Sequence, residues 1–218
     1  MQAVITSGVL TKVVQFLSND IWSLVLPAVR LLGNIACGTE QQNHLIFSSG
    51  AISAFPFLLN HPRRVVRKEA LWTVSNLLVG GPAQIQLVVA ANLVPRVVGT
   101  MVDADATLRQ EALIGISNLL LRGSFEQVEY AIELGAIHHL VQMLNDPVSS
   151  IIMLALESAA TLMNAGDRLM QLRNLAPNPF QVAFAQDGGR IRLETLLRHD
   201  DGVICEAAAF VLVRLSES

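Results

Sequence analysis

Three stretches of the chain align without a gap: PAVRLLGNIACG from Pro27, EALWTVSNLLVG from Glu69 and EALIGISNLLLRG from Glu111. Their asparagines, Asn34, Asn76 and Asn118, recur at intervals of 42 residues. A second marker keeps the same beat. Small turn residues ahead of an apolar run stand at Gly8, Gly50, Asn92 and Gly135, spaced 42, 42 and 43. A fourth unit continues as IIMLALESAATLMNAG with Thr161 in the asparagine position, and a more divergent fifth begins near Gly189. Between them QLRNLAPNPFQVAFAQDG holds surplus residues and two prolines, which predicts an insertion loop or an irregular first helix. Such a period leaves few folds open. One unit cannot bury its apolar face alone, so units must stack side by side around a continuous core.

A period near 42 falls within the roughly 40–47 residues of armadillo and HEAT units. Each unit reads as three helices. In the second, a short helix covers Glu40 to Phe47 and turns at Gly50, another spans Ile52 to Leu59, and a long one runs from Arg64 to Val79. Gly80-Gly81 is the expected left-handed C-cap of that long helix. Pro82 and the capping-box pattern SFEQ from Ser124 mark later first helices. No stretch alternates in the manner of a strand. The expected fold is an all-α, right-handed armadillo-repeat solenoid of about five three-helix repeats. It forms one domain over residues 1–218, with repeats near 1–38, 39–80, 81–123, 124–165 and 166–218.

Composition narrows the function classes. Hydrophobic residues are 52% and charged residues 15%, which excludes disorder for most of the chain. Apolar runs stop well short of a membrane span. A net charge of −3 argues against a general nucleic-acid binder. Two cysteines, Cys37 and Cys205, are too few for a disulfide framework or a zinc cluster and fit a reducing compartment. The start, MQAVITSG, lacks the features of a signal peptide.

The long helix carries the functional signal. At about 100° per residue, Leu71, Val74 and Leu78 share the core face, while Glu69, Trp72 and Asn76 share the opposite one. Trp72 either packs on a neighbouring helix or faces a ligand. Mid-helix asparagine is a mediocre helix former, so its recurrence in three successive repeats points to a shared ligand. Adjacent helices lie roughly 8–10 Å apart and an extended chain advances about 3.3 Å per residue. A row of asparagines can therefore hold the backbone of one extended peptide through both amide groups. An exposed indole suits the stems and heads of Lys or Arg, and Glu69 and Glu111 supply carboxylates. The expected site is a groove for an extended basic peptide, with no cofactor and no metal.

The combination RKEALWTVSN, preceded one repeat earlier by Arg in place of Trp before GN, resembles the C-terminal half of importin-α, an armadillo adaptor for nuclear-localisation-signal cargo. VITSGVL, SSGAISAFPFLLNHP, RQEALIGISNLLLRG, FEQVEYAIELGAI and GGRIRLETLLRHDD carry the resemblance over nearly the whole chain, apart from residues 166–187. The resemblance implies repeats six to ten of a ten-repeat molecule, a nuclear-import role in cytoplasm and nucleus, and the family's minor signal-binding site. Carried over, that site consists of Arg30, Asn34, Glu69, Trp72, Asn76, Glu111 and Asn118. Ile114 is a departure: the family has tryptophan there, so one wall of a lysine pocket is missing. For the whole protein the resemblance implies importin-β and a recycling export receptor as partners, the latter near Arg198 to Cys205. A non-transport armadillo scaffold with another extended ligand is the alternative, because fold alone does not choose.

Other features have blander readings. Arg63, Arg64, Arg67 and Lys68 form a basic cluster, either a solvated helix start bordering the groove or a phosphate site. His138-His139 is adjacent, so both cannot face one metal from a helix. No nucleophile, HExxH motif or paired-carboxylate arrangement suggests an enzyme. MQAVITSGVLTKVVQFL contains one charged residue, Lys12, and predicts a sticky end that joins a homodimer through Met1 to Leu17. Arg198, Asp200, Asp201 and Glu206 suggest a polar cap at the other end.

Overall fold

The computed structural model describes residues 9–19 and 21–216. Fourteen α-helices and one 3-10 turn are present among them, with no strand. The first unit supplies α1 (Val9–Leu17) and α2 (Trp22–Ala36). The second has α3 (Glu40–Ser48), the 3-10 turn Ala51–Ala54 running into α4 (Phe55–Leu58), and α5 (Arg64–Leu77). The third has α6 (Pro82–Ala90), α7 (Val94–Thr100) and α8 (Ala106–Arg122). The fourth has α9 (Phe125–Glu133), α10 (Ala136–Met143) and α11 (Ser149–Arg173). The fifth has α12 (Pro179–Gln186), α13 (Gly189–Leu196) and α14 (Gly202–Ser216). The solenoid expected from the period is the fold observed.

Its spine is the row of third helices, each packed on the next: α2 on α5, α5 on α8, α8 on α11 and α11 on α14. Leu32, Ile35, Leu71, Leu77 and Leu78 are among the large side chains with no exposed surface or almost none, and burying each aliphatic side chain contributes about 1.5–3 kcal/mol. Leu71 and Val74 point into this core, as their helical phase requires.

The turn between first and second helices needs a left-handed residue in every unit where it is described. Gly50, Asn92, Gly135 and Gly188 hold φ of 78°, 55°, 93° and 91°, so glycine or asparagine recurs there. Gly8 lies outside the described residues. The left-handed cap expected at Gly80-Gly81 is absent: α5 ends instead at Leu78 in right-handed geometry. Its carbonyl end is satisfied from the next repeat, where Gln84 Nε2 donates to Leu77 O at 2.6 Å. Gly80 is small because a β-carbon there would stand 2.4 Å from the Gln84 side chain. The Ser124–Gln127 capping box forms as expected, and Thr39–Gln42 makes a second one.

The surplus residues after the fourth unit do not form a loop throughout. α11 continues for 25 residues to Arg173 and ends in a left-handed Asn174, passing through the boundary expected at residues 165–166. Buried Ala165, Gly166 and Leu169 extend its apolar stripe, and packing rather than repeat length sets where it stops. A regular first helix, α12, follows, capped by buried Asn178, which accepts from Phe180 N and Gln181 N.

The polar C-terminal cap expected from sequence is only partial. Arg198, Asp200, Asp201 and Glu206 are exposed, yet α14 also exposes Val203, Phe210 and Val213, each at about 60%. Spacing of seven and three residues puts all three on one stripe.

Candidate functional site

Arg30 and Asn34 on α2, Lys68, Glu69 and Trp72 on α5, and Glu111 on α8 line one pocket of about 310 Å3. Five of the eight residues expected from sequence meet there. Lys68, read from sequence as part of a solvated cluster, is the addition. No short motif marks it, because only the packing of α2, α5 and α8 turns it toward the carboxylates.

Trp72 satisfies both of its sequence readings. Its benzo ring lies on the backbone of α2 at Gly33, where an added β-carbon would stand 2.4 Å from Cζ3 and 2.6 Å from Cε3. The half-buried indole also forms a wall of the pocket. The glycine before Asn34 is thus the seat of the tryptophan one repeat later.

The carboxylates are not idle. Arg30 Nη2 and Nε donate to Glu69 Oε1 at 2.6 and 3.2 Å, joining α2 to α5. The arginine side chain is 55% exposed and the glutamate 16%, so the pair is reachable from solvent on its arginine side. Glu111 is half-buried, and loss of water raises its carboxyl above the ordinary value of 4.5. Nearby Lys68 opposes that rise and Glu69 adds to it. A cation entering the pocket would replace the missing hydration of Glu111 and lie beside an indole, both favourable for Lys or Arg.

The asparagines divide. Asn34 is exposed in the first pocket. Asn76 lines a neighbouring one of about 390 Å3, between the ends of α2 and α5 and the next first helices, beside Cys37, Glu40 and Val79. Its Nδ2 is buried with no hydrogen-bond partner, which is costly unless an acceptor arrives. Asn118 Nδ2 instead donates to Ser75 O at 3.0 Å, tying α8 to α5. At Asn118 recurrence thus has a packing reason rather than a shared ligand, because this side chain holds neighbouring repeats together. Ile114 is half-buried on α8 and does not line the first pocket.

The basic cluster is divided among separate partners. Arg63 stacks over Trp22 at 5.5 Å, Arg64 bonds Asp105 and Thr107, and Arg67 Nη1 donates to the carbonyls of His61 and Pro62 at 3.0 and 3.3 Å. His138 Nδ1 lies 3.1 Å from Asp187. Among the described residues no group of three or more His, Cys, Asp or Glu could hold a metal ion.

Residues 39–79 match the Armadillo/beta-catenin-like repeat family. The chain is 32% identical to Importin subunit alpha-4 of Arabidopsis thaliana, over 98% of this chain and 40% of that protein. It is 31% identical to Importin subunit alpha-1b of Oryza sativa subsp. japonica, over 97% of this chain and 40% of that protein. It thus spans about two fifths of the length of these relatives. Among solved structures, computationally designed armadillo repeat proteins for modular peptide recognition superpose with a TM-score of 0.85 at 26% identity, covering 98% of this chain and 84% of theirs. A designed armadillo repeat protein in complex with the peptide (KR)4 superposes with a TM-score of 0.70 at 25% identity, covering 94% and 99%. Along nearly its whole length, on an armadillo solenoid, the chain is similar to about two fifths of plant importin subunits alpha.

Proposed function

We propose that the face formed by α2, α5 and α8 binds an extended Lys/Arg-rich segment, and that the chain serves a nuclear-import adaptor moving between cytoplasm and nucleus. The observation that carries this reading is the adjacency of two features. A pocket walled by Trp72 and two carboxylates takes a cationic side chain, and Asn76, which lines the neighbouring pocket with its Nδ2 buried and unpartnered, can give that donor to a backbone carbonyl once its amide turns outward. The remaining site residues have supporting parts: Asn34 as a second amide, Arg30 as the partner of Glu69, and Ile114 and Asn118 at the margin. The chain is read as a binding scaffold rather than a catalyst.

The partners implied for the whole protein are cargo signals, importin-β and the recycling export receptor, the last near Arg198 to Cys205. A scaffold outside transport would bind another extended peptide in the same groove, so a cargo assay separates the two. The primary test is calorimetric titration with a Lys/Arg-rich nuclear signal, a charge-neutral peptide and an acidic peptide. Preference for the basic peptide supports the reading; equal affinity for all three overturns it.

A further inference from the structure

We infer that this groove has one working cation slot, so that among extended basic peptides it selects short segments with a single indispensable Lys or Arg rather than a run of them. The inference rests on the basic-peptide reading above and narrows it.

The solenoid supplies its own comparison. A complete slot needs a carboxylate seven residues before the asparagine position, an aromatic four before it, and an amide with a free donor. α5 has all three: Glu69, Trp72 and Asn76, whose Nδ2 is unpartnered. α2 offers Pro27, Arg30 and Asn34, with no carboxylate and with a cation in the aromatic position. α8 offers Glu111 but has Ile114 for the aromatic, and its Asn118 donor is spent on Ser75 O at 3.0 Å. α11 offers Leu154, Glu157 and Thr161, whose hydroxyl donates to Glu157 O within its own helix at 2.9 Å. Of these four helices, α5 alone closes the set.

Resident cations limit the slot further. Arg30 holds Glu69 at 2.6 Å, and Lys68 acts on Glu111. Two carboxylates facing two resident cations are already balanced, so one incoming charge, and no more, is admitted as the exposed Arg30 swings into water. Successive side chains of an extended peptide point to opposite sides, so the immediate neighbour of the slotted residue turns away from the groove, and the other cavity a peptide passing Asn76 can reach is the second pocket, which Asn76 lines. That pocket has one carboxylate, Glu40, which is exposed, and no aromatic. An exposed ion pair contributes little, so a second cation there adds little binding.

The test uses the chain as it stands and glycine/serine octapeptides carrying no lysine, one, two or three, titrated at physiological ionic strength. The best single-lysine peptide is expected to bind within about 5-fold of the three-lysine peptide, because further cations make only exposed pairs. Glu111→Gln is expected to weaken the single-lysine peptide, whereas Glu40→Gln leaves it unchanged. Stepwise gains of about 10-fold per lysine overturn the single slot while leaving the basic-peptide reading intact. If no lysine peptide outbinds the lysine-free one, both fall together.

Discussion

Asn76 and Asn118 occupy the same position in consecutive repeats, and their surroundings predict opposite phenotypes. Asn76→Ala removes a donor with no internal partner, so binding of a basic peptide is expected to weaken by about 1–3 kcal/mol with the fold unchanged. Asn118→Ala removes the bond to Ser75 O, so stability is expected to fall by about 0.5–1.5 kcal/mol with smaller loss of affinity. Calorimetry and thermal denaturation on both variants separate these outcomes. Gly33→Ala places a β-carbon 2.4 Å from the Trp72 ring, and is expected to displace the indole, changing its fluorescence and reducing peptide affinity. Glu111 gives the site a pH dependence. Its raised carboxyl means that the folded chain holds this proton more firmly than the unfolded chain. Lowering the pH through the window just above 4.5 therefore adds stability from this group. Cation binding needs the charged form, so affinity is expected to fall over that window. Titrations across pH with Glu111→Gln, in which the fall should vanish, check the assignment.

At the scale of the helix, the third helices explain why the site was legible at all. Helical phase put Glu69, Trp72 and Asn76 on one side and Leu71 and Val74 on the other, and the observed burial agrees. Phase says nothing of what stands across the gap. That Trp72 needs Gly33, and that Arg30 reaches Glu69 across 39 residues of sequence, depends on the stacking of α2 against α5. The same relation qualifies the position of the missing tryptophan. Ile114→Trp is expected to add about 0.5–2 kcal/mol to binding of a lysine-rich peptide through a new cation–π contact. One repeat after Gly33, however, the seat is Ser75, whose β-carbon contests the ring. The full gain is therefore expected only when Ser75→Gly accompanies it. Loss of the cooperative thermal transition in both variants means that Ile114 belongs to the core.

At the scale of the molecule, the solenoid presents apolar surface at both ends of what is described. Phe16 and Trp22 are 40% and 41% exposed at one end, and Phe210 is 59% exposed at the other. Such faces mark interaction sites or aggregation liabilities. The end-to-end dimer predicted from the sequence uses a segment whose residues 1–8 lie outside the described part. Phe16→Glu is expected to convert a dimer to a monomer in light scattering. A dimer that survives Phe16→Glu and is lost in Phe210→Glu places the contact on α14 instead.

Local rules and periodicity, both properties of the sequence, determined the architecture. A repeat every 42 residues, a 3.6-residue apolar stripe and a turn that only glycine or asparagine enters cheaply leave one solution. The recurring asparagines and the Glu69, Trp72 and Glu111 positions followed from that phase too, whereas Arg30 and Ile114 came from the family resemblance. Tertiary structure decided what each of them does, because packing, not position in the repeat, assigns hydrogen-bond partners and water. It spent the Asn118 donor on a neighbouring carbonyl and left that of Asn76 unpaired. It drew Lys68 into the pocket and dehydrated Glu111. It carried α11 past residue 166 to Arg173, the buried contacts of Ala165, Gly166 and Leu169 making further helical turns more favourable than a loop.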